Sequence, residues 1–195
     1  MKRTLLSAVV LAGSLALAGC SGSEEPMDHD MSTMAGSESG DQAAHNEADM
    51  MFAQMMIPHH EQAVEMADAV LAKDGTNPEV TALATQIKEA QAPEIEQLGQ
   101  FLDSWGAPRT AEHDGHDGMS GMMTEEDMQA LDGATPPESD RLFLEQMIAH
   151  HEGAVEMAQT EIDEGSDAAA VEMAQTIVDT QTAEIATMEG LLASM

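Results

Sequence analysis

The sequence predicts an all-α protein, a four-helix bundle made of two copies of one helical hairpin joined by a long crossover. Three observations carry this expectation. The run Met56-Ile57-Pro58-His59-His60-Glu61-Gln62-Ala63-Val64-Glu65-Met66-Ala67 recurs 91 residues later as Met147-Ile148-Ala149-His150-His151-Glu152-Gly153-Ala154-Val155-Glu156-Met157-Ala158. Apolar residues in and around both runs recur at helical spacing. Turn and cap residues fall where each repeat needs two antiparallel helices.

The chain opens with Lys2 and Arg3, an apolar run from Leu5 to Ala18, and Leu17-Ala18-Gly19-Cys20. This reads as a secretory signal over residues 1–19, too short and wrongly flanked for a spanning helix. The small residues before the single cysteine resemble the lipobox of bacterial lipoproteins, which makes Cys20 the expected lipid attachment. An ordinary signal peptide with a free thiol is the plain alternative. With one cysteine, no intramolecular disulfide is possible. Residues 20–47, rich in Ser, Gly, Glu and Asp, read as a disordered tether.

The bundle is expected over residues 48–194. From Met50 to Leu71, Phe52, Met56, His59, Ala63, Met66 and Val70 form one seam at alternating steps of four and three. Lys73-Asp74-Gly75 supplies the stop, and Asn77-Pro78-Glu79 offers a cap, a first-turn proline and an early acid for a second helix to about Leu102. The hairpin of 139–194 repeats the plan, with helices of about Asp140 to Asp163 and Asp167 to Ala193 around a turn at Glu164-Gly165-Ser166. Pro58 and Pro93 disfavour a helix interior, yet their counterparts Ala149 and Ala183 argue for continuous, kinked helices. Each hairpin has one apolar face and cannot bury it alone, so the two pair. The crossover of 103–138 is long enough for a ferritin-like topology.

Composition narrows the function. The chain is 43% hydrophobic but 2% aromatic, has no tyrosine, and holds 18 methionines. That is more thioether than core filling needs, and thioether is also a soft ligand. The net charge is −31, and loss of residues 1–19 removes two of six basic residues and no acids. Such a field repels nucleic acid and anionic lipid and concentrates cations. Solvation alone would explain it too. No phosphate loop, basic patch or nucleophile-base set is present.

Counting outward from the hairpin turns places His59, Gln91, Met56 and Glu94 at one level of the first hairpin, and His150, Gln181, Met147 and Glu184 at the same level of the second. A polar layer then crosses an otherwise aliphatic bundle. Buried and unpaired, each group would cost roughly 1–3 kcal/mol, so the layer must satisfy itself, hold water or bind something. Met56 lies three residues before His59 and four before His60, so thioether and imidazole share a face. That set suits Cu(I), and by the same softness Ag(I). The candidate ligands are Met56, His59, His60, Met66, Met147, His150, His151 and Met157, with Gln91, Glu94, Gln181 and Glu184 as acceptors orienting the imidazoles. A hydrogen-bonded structural network with a methionine core is the plain alternative. Met27, His29, Met31 and Met34, and then His113, His116, Met119, Met122 and Met123, lie in polar sequence expected to be mobile, where no core needs filling; weak copper capture is the functional reading and biased composition the other.

The His-His-Glu runs and the Gln-x-x-Glu-Ile of residues 91–95 and 181–185 resemble the family known as domain of unknown function 305, over roughly residues 48–193. The resemblance implies a ferritin-like fold, secretion or lipid anchoring, and kinship with extracytoplasmic copper-binding proteins of copper tolerance. It also implies the eight motif Met and His residues as ligands.

The expected function is a lipid-anchored, extracytoplasmic protein that binds Cu(I) without turnover, for sequestration, for tolerance or for transfer to a protein partner. A carboxylate-bridged di-metal oxidase is one alternative, but it needs Glu from two helices and Glu-x-x-His from the other two. Here Glu61 and Glu152 point away from the seam. A metal-free acidic bundle that binds a partner protein is the third reading.

Overall fold

Asn46 opens the first helix with a capping box: its side chain accepts from the N–H groups of Ala48 and Asp49, and the Asp49 carboxylate accepts from the Asn46 N–H. The computed structural model describes residues 45–110 and 120–195, and within these the chain forms α1 (Glu47–Leu71), α2 (Pro78–Trp105), α3 (Glu125–Gly133), α4 (Glu138–Glu164) and α5 (Ala168–Ser194). The fold is an all-α bundle. Residues 1–44, with the signal segment, Cys20, Met27, His29, Met31 and Met34, lie outside the described residues, as do His113, His116 and Met119. Among the described residues no helix is long and apolar enough to cross a membrane.

The helix ends follow the cap chemistry. Asn77 accepts from the Glu79 N–H and Pro78 takes the first position of α2, while Gly106 closes that helix at φ +68°. Asp167 caps α5 through the N–H groups of Ala169 and Ala170. Helix α2 extends to Trp105, a turn beyond the expected Leu102. Pro58 and Pro93 both lie inside continuous helices.

The crossover differs from a plain connection. Thr124 and Asp127 form a second capping box that starts α3, and Leu131 of α3 is fully buried. Met122 and Met123 therefore do not lie in mobile sequence without a core: both are half-buried, and Met123 packs against the cluster that holds Ala63, Met66, Leu144 and Met147. A short amphipathic helix docked on the bundle gives this methionine a core to fill.

Packing follows the duplication. α1 pairs with α2 and α4 with α5, while α1 and α4 meet along the central seam and α3 rests on both. The seam residues Phe52, Met56, His59, Ala63, Met66 and Val70 are all buried. Two apolar clusters result. One gathers Val70, Ile87, Phe143, Met147 and Met188, and the other Phe52, Met56, Leu98, Leu102 and Ile177.

Each repeat pins the other's turn with a buried carboxylate. Asp49 accepts from the backbone N–H groups of Ser166 at 3.0 Å and Asp167 at 2.9 Å. Its counterpart Asp140, 91 residues on, accepts from the Asn77 N–H at 3.0 Å. Burial works against the Asp49 charge, but the backbone donors of Asn46, Asp167 and Ser166 outweigh it and hold the carboxyl below its ordinary range. Asn46 Nδ2 ties the same joint by donating to the Glu164 carbonyl and the Ser166 hydroxyl, and the Trp105 indole N–H donates to Asp167 at 3.2 Å. Replacing Asp49 by alanine strands several buried N–H groups, so a loss of about 3 kcal/mol is expected. In a domain of this size that is a fall in Tm of about 6–12 °C. Asp140→Ala, with one cross-hairpin bond at stake, should cost less, and equal losses in calorimetry would refute the assignment.

The joints differ at one position. Val70 of the first repeat is replaced by Glu161 in the second, which is only 1% exposed. Burial first, then a side-chain hydrogen bond with Asp49 that favours the protonated form, then the charges of Asp49 and Asp167 raise the Glu161 pKa to about 8.

Candidate metal centre

Helical phase brings four imidazoles together where α1 meets α4. His59 and His60 on α1, and His150 and His151 on α4, are each fully buried. The His59 and His150 rings lie 3.7 Å apart between centroids, tilted by 39°, and His150 and His151 lie 6.4 Å apart. Met56 and Met147 are fully buried four residues before His60 and His151, in the two apolar clusters. Met66 is buried as well, whereas Met157 is only half-buried at the edge of its cluster.

Burial holds the His59 and His150 rings neutral. Burial first and the neighbouring His60 second lower the His59 pKa to about 3. Burial, then His59, drives His150 well below its ordinary value. A neutral imidazole is the form that binds a metal.

Hydrogen bonds decide which nitrogen is free. His60 Nε2 meets Glu94 Oε2 at 2.8 Å, and His151 Nε2 meets Glu184 Oε2 at 2.8 Å. A carboxylate only accepts, so each Nε2 carries a proton, and Nδ1 is the ring nitrogen left unengaged. His59 Nε2 donates likewise to the Ser120 carbonyl at 3.2 Å. The Nδ1 atoms of all four rings have no hydrogen-bond partner, nor does His150 Nε2. Glu94 and Glu184 thus stand where orienting acceptors were expected. Gln91 and Gln181 do not: neither bonds an imidazole, and both Gln91 amide atoms and Gln181 Oε1 are buried without partners.

Among the described residues no three His, Cys, Asp or Glu side chains form a group able to hold a metal ion. Glu61 and Glu152 are exposed. The layer's two carboxylates are already engaged by imidazoles, which departs from a carboxylate-bridged di-metal site.

Sequence reasoning missed four participants. The Ser120 carbonyl is a backbone atom and carries no residue signature. Gln86 Nε2 donates to Glu184 Oε1 at 3.0 Å and has no counterpart in the other repeat, where Thr176 stands. Gln62 and Gly153, at equivalent positions, hold the crossover on opposite sides. The signal that would have found them is the mismatch between otherwise matching repeats.

CopM has been crystallised with Cu(I) bound, with Cu(II) bound and with Ag bound. The Cu(I) structure is 29% identical to this chain over 75% of it and 96% of CopM, at a TM-score of 0.65. The Cu(II) form has 32% identity, the same coverage and a TM-score of 0.64, and a silver-soaked form has 31% identity, 75% and 95% coverage, and a TM-score of 0.61. A DUF305 fragment from Deinococcus radiodurans is 32% identical, covering 77% of this chain and 99% of its own, at a TM-score of 0.71. No curated protein matches the sequence. The sequence model of the domain of unknown function DUF305 matches residues 49–192, and the chain belongs to that family.

Proposed function

We propose that the protein binds Cu(I) in the histidine layer and holds it outside the cytoplasm, tethered to a membrane by lipid on Cys20. The observation that carries this reading is the four buried imidazoles whose Nδ1 atoms have no partner, with the buried Met56 and Met147 one helical turn before His60 and His151. Soft-to-borderline donors favour Cu(I) and Ag(I) over hard cations, and CopM, of similar fold, takes both copper and silver. Met66 and Met157 extend the thioether set. Glu94 and Glu184 orient His60 and His151 from outside it. The role is capture and release rather than turnover, and the signal segment with its lipobox supports an extracytoplasmic place. Met and His residues of the tether and crossover would add weaker capture, and a protein that accepts the copper would complete a transfer role.

The test is a Cu(I) titration of the fragment from Ser21 onward against a competing chelator, beside a variant with His59, His60, His150 and His151 all changed to alanine. Loss of even an orienting partner costs 10–100-fold in metal affinity, so loss of the rings should cost at least about a hundredfold. Equal, weak binding by both proteins would remove copper from the layer and leave it to the Met/His tails. Circular dichroism of the variant separates loss of ligand from loss of fold.

A further inference from the structure

The two halves of the bundle are related by duplication, yet a single chain segment crosses their seam and treats them differently. Residues Ser120–Met123 run over α1 and α4 beside the histidine pair. Gln62 grips this segment as a backbone strand would: its Nε2 donates to the Met123 carbonyl at 2.9 Å, and its Oε1 accepts from the Met123 N–H at 2.7 Å. At the equivalent position of the second repeat stands Gly153. A Cβ there would lie 2.0 Å from the Ser120 carbonyl oxygen and 2.8 Å from Gly121 Cα. Only glycine leaves room for the segment. Gly121 itself has φ +79°, and a Cβ on it would meet the Ala149 carbonyl oxygen at 2.5 Å. The Ser120 hydroxyl donates to Glu156 at 2.7 Å. Clamp and seat thus occupy the same place in the two repeats, and each suits one side only.

The result at the histidine pair is a broken equivalence. His59 Nε2 is bound by the Ser120 carbonyl, whereas His150 has no partner at either nitrogen. We infer that Gln62 and Gly153 are positioning residues that seat Ser120–Met123 so that its carbonyl fixes His59 as the Nε2–H tautomer, with Nδ1 as the donor atom. His150, unlocked, stays free to present either nitrogen. The purpose of the lock rests on the copper reading above, but its existence does not.

The experiment is a long-range 1H–15N spectrum of the metal-free protein labelled in histidine, with Cu(I) affinity measured in parallel. In the wild type His59 should be a single Nε2–H tautomer. Gln62→Gly, which copies the second repeat, should give a mixed-tautomer His59 and a 10–100-fold loss of Cu(I) affinity, as for other outer partners of a metal ligand. Gly153→Ala should unseat the same segment from the opposite side with the same spectral change, and Gln62→Glu, which keeps an acceptor for the Met123 N–H, should restore much of the wild-type spectrum. An unchanged His59 tautomer in both Gln62→Gly and Gly153→Ala overturns the inference. A tautomer change with unaltered Cu(I) affinity upholds the lock and counts against the copper reading instead.

Discussion

Acidification of the metal-free protein is expected to destabilise it, most steeply below pH 4.5, because His59 and His150 must take up protons that the fold refuses. His59 has a folded-state pKa of about 3 against an ordinary 6.5. Between those values the unfolded chain holds a proton that the folded chain lacks, so the stability present above pH 6.5 is lost as pH falls toward 3. At 1.36 kcal/mol per unit this is on the order of 5 kcal/mol for His59. His150 shifts in the same direction and adds to it. Glu161 opposes them only down to pH 4.5, its ordinary value, because its shift has the other sign. Two imidazoles outweigh one carboxyl from pH 6.5 to 4.5, and below that the decline is unopposed. Whole domains are stable by only roughly 5–15 kcal/mol, so the uncompensated part of this decline is a sizeable share of the total. Urea titrations at pH 7, 5.5 and 4, in salt high enough to screen the acidic surface, should show the decline. Bound Ag(I) should move it to lower pH, since the metal binds only the neutral rings. Stability that stays level from pH 7 to 4 would refute the neutral, buried state of the layer.

Replacing Glu161 by glutamine is expected to stabilise the protein, and to do so more at pH 8 than at pH 5. The raised pKa means that folding carries a proton cost that begins at 4.5 and grows until about pH 8. At that point the cost approaches 5 kcal/mol by the same conversion, worth a rise in Tm of about 10 °C or more. The first repeat already contains the neutral solution, since Val70 fills the equivalent position with no exposed surface. Glu161→Val should therefore behave like Glu161→Gln apart from a small packing loss. Thermal unfolding of wild type and variant at both pH values decides the matter: a difference in Tm that does not grow with pH would show that Glu161 holds no such proton.

The helices and their buried faces were legible because phase is a property of spacing. His59 and Met56 fall on the seam with Phe52 and Val70, while Glu61 and Glu152 fall off it, and all lie in the structure as their phase requires. The carboxylates on His60 and His151 were legible because the turns set the level at which the second helix of each hairpin returns. Helix α3 was not read from the sequence, since its nine residues present few apolar positions amid Gly, Asp and Glu, and its capping box of Thr124 and Asp127 is seen in the structure. The Ser120 carbonyl could not be read at all, because any residue supplies one. Gln91 and Gln181 sit at the expected level, but level does not fix where an amide points, and neither reaches a ring.

The only tryptophan sits at the joint, its indole bonded to Asp167, stacked on Phe101 at 5.5 Å and on His45 at 5.3 Å. Eleven residues of α2 separate it from Glu94, about 17 Å along the helix at 1.5 Å per residue. With no tyrosine in the chain, near-ultraviolet emission comes from that one end. The protein thus carries its own optical probe of the corner where Asp49 and Glu161 meet, one that sees the proton of Glu161 at close range and cargo in the histidine layer only from a distance.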